Sequence, residues 1–115
     1  MIAKAKVRYI RISPRKVQDV SRLVRGKTVG SVLGMLPYMN KRASLFIEKL
    51  VKSAVSNAGN KGVDISDLGN IYVSKINVNQ GPVLKRHRAA PFGMAAMIRK
   101  RTTHIEIELD YIQER

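Results

Sequence analysis

The chain has 115 residues and carries 22 lysines and arginines against 8 aspartates and glutamates, a formal net charge of +14 at pH 7. Its length suits one domain with one modest hydrophobic core, and an apolar fraction of 44% excludes a disordered basic tail. Because it has no cysteine, disulfides, thiolate metal sites and a thiol nucleophile are excluded. Self-repulsion of this size opposes folding unless a polyanion relieves it, so nucleic acid is the leading partner. An anionic membrane surface is the alternative.

The first residues lack the apolar core of a signal peptide, and no stretch approaches the length of a membrane span. We therefore expect a cytoplasmic protein, mature from its first residue and without a membrane partner.

A basic strand and a helix are predicted at the start of the chain. Apolar residues from Ala3 to Tyr9 alternate with lysine and arginine, the pattern of a strand with one basic face. Ser13 followed by Pro14 is typical of a helix start. Between positions 1 and 29 there are nine basic residues and one acid. The helix is expected to end at Gly26, with an apolar stripe formed by Val17, Val20, Leu23 and Val24.

Two further helices are predicted. Thr28 is expected to cap a short helix that stops at Pro37 and that Gly30 and Gly34 weaken by about 1 kcal/mol each. Asn40 is expected to cap the longest helix, over residues 41–58, with Gly59 at its C-terminal end. The buried face of this helix is expected to comprise Ala43, Ile47, Leu50, Val51, Ala54, Val55 and Ala58.

Two strands follow a Gly/Asp/Asn loop, over residues 71–80 and 102–112. In the second, apolar and threonine side chains from Thr103 to Tyr111 alternate with polar ones, the clearest strand pattern in the chain. We therefore predict a single domain over residues 1–115 of the α+β class. It consists of three helices packed on a small three-stranded antiparallel sheet, with a long extended β-hairpin protruding from the domain.

The segment 81–101, between these two strands, is predicted to be the protruding hairpin. Its ends are basic, whereas residues 89–98 carry no charge, and no acid occurs between positions 68 and 105. An isolated two-stranded ribbon is marginal in water. We therefore expect the hairpin to be ordered by a negatively charged binding site, and we predict that the chain binds a polyanion. Phe92, beside Pro91 and Gly93 at the tip, has no core to enter, so it either contacts a base or bound surface or is simply exposed.

Other motifs are better explained by structure. Gly26-Lys27-Thr28 resembles the end of a phosphate-binding P-loop, but its first glycine is replaced by Ser21 and a helix leads into it, so a helix end followed by a helix start explains it. The two histidines, His87 and His104, lack the further ligands that a metal site needs. No nucleophile elbow or acid pair stands out. We expect no enzyme activity, no cofactor and no small-molecule substrate.

The candidate polyanion contacts are the cations of the N-terminal segment and of the hairpin shoulders, together with His104 on the polar face of the last strand. They are Lys4, Lys6, Arg8, Arg11, Arg15, Lys16, Arg22, Arg25, Lys27, Lys85, Arg86, Arg88, Arg99, Lys100, Arg101 and His104.

Several segments together resemble the ribosomal protein L-twenty-two family of the large subunit, bacterial type. These are residues 8–17 (Arg-Tyr-Ile-Arg-Ile-Ser-Pro-Arg-Lys-Val), 25–27 (Arg-Gly-Lys), 52–58 (Lys-Ser-Ala-Val-Ser-Asn-Ala), 80–82 (Gln-Gly-Pro) with 85–86 (Lys-Arg), and 99–105 (Arg-Lys-Arg-Thr-Thr-His-Ile). They follow the family order over nearly the whole chain, with gapless spacing through the hairpin.

The resemblance implies a structural protein that binds large-subunit ribosomal RNA and acts early in subunit assembly. Its partners would be that RNA, neighbouring large-subunit proteins and the nascent polypeptide, and it would not be a homo-oligomer. The globular part would lie near the exit of the polypeptide tunnel, with the hairpin arms packed against RNA. The hairpin tip would line the tunnel through Ala89, Ala90, Pro91, Phe92, Gly93 and Met94.

The tip departs from the family pattern. Two positions that are usually arginine are Ala90 and Met94 here, so the resemblance implies a more apolar tunnel surface. The alternative interpretation is a free-standing basic nucleic-acid-binding or regulatory protein.

Overall fold

The computed structural model describes residues 2–62, 68–89, 93 and 95–112. In this part of the chain the elements follow one another as β1 (Ala3–Ile10), α1 (Pro14–Val24), α2 (Val29–Met35), α3 (Arg42–Asn60), β2 (Ile71–Gln80), β3 (Leu84–Ala89), β4 (Ala95–Lys100) and β5 (Thr103–Tyr111). Short 3-10 helices occupy Leu36–Tyr38 and Leu68–Asn70.

The main sheet has the strand order β1-β5-β2, and both pairings are antiparallel. In the central strand β5, Thr103, Ile105, Ile107 and Leu109 are buried while the residues between them are half-buried. One face of the sheet therefore packs on the helices and the other faces outward. This arrangement confirms the predicted α+β class, with three helices on a three-stranded antiparallel sheet.

The core joins the sheet to all three helices. Pro14 lies at the first turn of α1, as predicted, and the Thr28 side chain accepts a hydrogen bond from the Ser31 N–H to cap α2. The fully buried side chains of the helices interdigitate with β2 and β5, and they include Val17, Val20, Val24, Val29, Val32, Ile47, Val51 and Ala54.

The alternation expected for β1 fails at its end. The register with β5 shifts between Val7 and Ile10, and Tyr9 adopts a φ of 61°. An extra residue in one strand inverts the inside–outside pattern. Ile10 is consequently buried, whereas Tyr9 is 62% exposed.

Four smaller expectations were wrong. Leu23 and Tyr111 are exposed at 44% and 43%, because Ser21 takes the buried place on α1 and β5 ends at Tyr111. The longest helix begins at Arg42 rather than Lys41, and the residue that flanks its start is the extended Lys41 rather than Asn40. It continues through Gly59 to Asn60, and the left-handed residue after it is Gly62, with a φ of 81°.

Strands β3 and β4 form a second, two-stranded sheet that prolongs the hairpin begun by β2 and β5. The molecule measures 67 × 25 × 21 Å, and its radius of gyration is 17.4 Å. A compact chain of this length would have a radius of about 13 Å. The difference reflects the protruding hairpin. In the described ranges, no helix is both long and apolar enough to cross a lipid bilayer.

Candidate nucleic-acid interface

A basic cleft lies where the hairpin leaves the domain. Its volume is about 770 Å³, and none of the described residues that line it is acidic. Cations from three separate parts of the chain meet here: the β1–α1 link and α1, the start of α3, and the end of β4. The lining residues are Arg11, Ile12, Ser13, Lys16, Arg42, Arg99, Lys100 and Arg101.

Local contacts position the two walls of this cleft. The Thr103 hydroxyl donates to the Ile12 carbonyl at 2.6 Å, which ties the β1–α1 link to the start of β5. Thr103 is fully buried, so this bond is shielded from water. The link that carries Arg11 is therefore fixed beside the strand that follows Arg101. The cleft brings together five residues that the sequence predicted separately, namely Arg11, Lys16, Arg99, Lys100 and Arg101.

Arg42 belongs to the same cleft but was not predicted. It is the first residue of α3, and its guanidinium carbon lies 5.7 Å from the centre of the Phe46 ring. The first turn of α3 has no acid, although the helix dipole favours negative charge there. The helix dipole therefore does not explain the cation at this position.

The hairpin arms carry cations on both faces. Lys85 pairs directly with Arg99, and Leu84 pairs with Lys100, so these two pairs project to opposite faces of the ribbon. Arg86, one residue after Lys85, lies on the face of Lys100. Lys85, Arg86, Arg99 and Lys100 are all exposed. Arg88 lies on β3 opposite Ala96.

The root of the hairpin is tightly packed around Gly81. The Gly81 N–H donates to the Thr102 carbonyl at 2.9 Å, and the Thr102 hydroxyl donates to the Pro82 carbonyl at 2.6 Å. A Cβ atom on Gly81 would lie 2.5 Å from that hydroxyl and 3.0 Å from the His104 ring. Position 81 therefore has no room for a side chain.

His104 is part of this root. Its Nδ1 accepts a hydrogen bond from the Tyr9 N–H at 3.1 Å, and the two rings meet edge to face at 4.8 Å between centroids. The side chain thus supports the β1 bulge, a structural role that the sequence did not indicate. An RNA contact by His104 stays a prediction.

Lys4 and Lys6 have acidic neighbours. On the outward face of the sheet, Lys4 pairs with Glu108 and Lys6 with Glu106, and the Lys6 Nζ lies 3.7 Å from a Glu106 carboxylate oxygen. These two charges are partly balanced within the protein. They are weaker candidates for a polyanion than the cations of the cleft.

The remaining predicted cations are spread over the N-terminal half. Arg8 is exposed at the β1 bulge and Arg15 on α1. The Arg22 guanidinium lies 4.0 Å from Asp19, and that of Arg25 donates to the Ile76 carbonyl at 2.9 Å. The Lys27 ammonium lies 3.8 Å from the Met35 sulfur. None of these five cations is among the described residues that line the cleft.

Most of the predicted tip lies outside the described residues, namely Ala90, Pro91, Phe92 and Met94. Ala89 ends β3, and Gly93 is exposed with a φ of 74°, a left-handed conformation that favours glycine. In the part of the chain that the structure covers, no group of three or more His, Asp or Glu side chains is placed to hold a metal ion.

The fold and the cleft define a class: a small basic α+β protein with its cations gathered at the root and along the arms of a protruding hairpin.

Residues 5–110 match the family model described as ribosomal protein L22p/L17e. Proteins named large ribosomal subunit protein uL22 are similar over almost their whole length. That of Halothermothrix orenii is 48% identical over 108 residues, 93% of either chain. That of Syntrophotalea carbinolica is 46% identical over 110 residues, 96% of this chain and 98% of its own.

The chain therefore belongs to the ribosomal protein L22p/L17e family, of bacterial type. Proteins of this family are structural and non-enzymatic, and their location is the cytoplasmic ribosome.

Proposed function

We propose that this structural constituent of the large ribosomal subunit binds large-subunit ribosomal RNA through the basic cleft and the hairpin arms. We further propose that it supports early subunit assembly, and that its hairpin lines the polypeptide exit tunnel while the globular part lies near the tunnel exit. Its other partners are neighbouring large-subunit proteins and the nascent polypeptide.

The observation that carries this proposal is the convergence of Arg11, Lys16 and residues 99–101 on one cleft with no acid among its described lining residues. Such a cluster is repulsive in the isolated protein, and bound phosphates turn the repulsion into attraction. Each neutralised phosphate also releases counterions, which favours binding at low salt. Arginine adds bidentate hydrogen bonds to phosphate oxygens.

The hairpin arms support the same conclusion. Lys85 and Arg86 project to opposite faces of a two-stranded ribbon, so a flat RNA surface on one side of the ribbon faces only one of them. A ribbon that lies between RNA segments satisfies both faces. The arms then act as the anchor, and residues 89–94 beyond them are left to face the tunnel and the nascent chain.

The test is co-sedimentation of the full chain with large subunits through washes of increasing salt. We expect the protein to stay with the subunits through moderate salt and to dissociate as salt screens its phosphate contacts. A chain found only at the top of the gradient would refute the proposal and favour a free-standing regulator.

A further inference from the structure

We propose that the basic cleft binds an RNA strand that has left its duplex, at a bulge or sharp backbone turn, and that Arg42 is one of its contact residues. This inference rests on the proposed RNA-binding function and adds the kind of RNA structure that the cleft accepts.

The size of the cleft suits one RNA strand better than a whole duplex. A volume of about 770 Å³ corresponds to a cube about 9 Å on a side. A regular A-form helix presents a wide, shallow minor groove and a deep major groove that side chains do not enter, so proteins contact it from outside. A concave site of this width suits a single backbone or an unstacked nucleotide.

The cations that line this space come from two different parts of the fold. Arg11 and Lys16 belong to the body of the domain, whereas Arg99 and Arg101 belong to the returning arm of the hairpin. Phosphates of one strand that passes between them meet positive charge on both sides. The outer surface of a continuous duplex would meet one side of this charge only.

Arg42 supplies a planar group to the same space. Its guanidinium lies over the half-buried Phe46 ring at 5.7 Å, and this cation–π contact favours one placement of the exposed side chain. Guanidinium planes stack on unpaired bases and bind phosphate by two hydrogen bonds. Arg42 is therefore suited to a nucleotide that is turned out of its helix, and a lysine could replace only its charge.

The experiment compares two RNA hairpins of the same length and base composition, one with a continuous stem and one with unpaired nucleotides in one strand of the stem. Binding to the full chain is measured at a fixed salt concentration. We expect the interrupted stem to bind at least about tenfold more tightly, the difference that one additional hydrogen bond to a charged group produces.

Two variants test whether Arg42 contacts the unpaired nucleotides. Arg42→Gln should remove most of the preference for the interrupted stem, and Arg42→Lys should restore only part of it. Lys49→Gln makes the same charge change at an exposed position of α3 outside the cleft, so it should leave the preference intact. Arg42→Gln removes an unfavourable charge at a helix start and also the contact with the Phe46 ring, two small effects of opposite sign, so the stability of the fold should change little.

The outcomes separate the inference from the proposed function. Equal binding of both stems, or equal effects of Arg42→Gln and Lys49→Gln, would overturn the inference while leaving RNA binding intact. Failure to bind either stem at low salt would overturn the proposed function and the inference with it.

Discussion

Lys85 and Arg99 lie directly opposite each other on β3 and β4, so two positive charges form one cross-strand pair. Opposite charges at such positions stabilise a sheet, and like charges destabilise it. The pair belongs to a two-stranded ribbon that has little stability of its own. This arrangement reduces the stability of the free hairpin, and a bound polyanion would reverse its effect.

Lys85→Glu should therefore separate stability from function. In the free protein the new Glu–Arg pair should stabilise the ribbon by about 0.2–1 kcal/mol, and amide hydrogen exchange in β3 and β4 should slow accordingly. Affinity for large-subunit ribosomal RNA should fall. Lys49→Glu is the control for the charge change, and it should leave exchange in the ribbon unchanged. Faster exchange in Lys85→Glu would contradict the repulsion that we infer.

Gly81→Ala should destabilise the protein by about 1–3 kcal/mol, because a Cβ meets the Thr102 hydroxyl at 2.5 Å and that hydroxyl is held by the Pro82 carbonyl. Gly34→Ala is a matched control, since its Cβ would meet nothing within 4 Å and the residue lies in α2. It should stabilise by about 0.5–1 kcal/mol. Urea unfolding gives the free energy of unfolding of both variants. If the two variants are equally stable, the root of the hairpin tolerates a side chain at position 81.

His104→Phe should cost about 0.5–1.5 kcal/mol, because it keeps a ring against Tyr9 but removes the acceptor of the Tyr9 N–H. His104→Asn places an oxygen near the position of Nδ1 and should recover most of that loss. The free energy of unfolding of the two variants is the measurement. If His104→Asn loses more than His104→Phe, the ring contact rather than the hydrogen bond supports the bulge.

Arg11→Gln combined with Lys16→Gln should flatten the salt dependence of RNA binding. The slope of log affinity against log salt should fall by about 0.7–0.9 for each phosphate that the variant no longer neutralises. Lys4→Gln combined with Lys6→Gln removes the same charge opposite Glu108 and Glu106, and it should change the slope less. A larger effect of the second pair would place the RNA on the sheet face.

Regular patterns made most of the fold predictable. The alternation in β5 and the Ser13-Pro14 start of α1 are local signals, and both are reproduced by the structure. The β1 bulge was not predictable because it depends on His104, a residue 95 positions away, which accepts the Tyr9 N–H. Gly59 was mistaken for a helix end because Gly62 supplies the left-handed turn.

The sequence predicted that the candidate site is basic, but it did not predict which cations lie together in it. Arg11 and Arg99 were both singled out, yet only the packing at the root of the hairpin shows that they share a cleft. Arg42 was missed because isolated cations near helix starts are common on solvated surfaces. Its distinguishing contacts, the Phe46 ring and the cleft, are tertiary.

The central claim is that the protein is anchored to RNA by the positions of its lysines and arginines on the hairpin arms, and not by its total positive charge. The most direct test is competition with wild type for incorporation during reconstitution of large subunits. One competitor replaces Lys85, Arg86, Arg99, Lys100 and Arg101 with glutamine, and the other replaces Lys4, Lys6, Lys49, Lys52 and Lys61. Both lose the same formal charge. We predict that wild type displaces the first variant but not the second, and equal incorporation of the two variants would contradict the account.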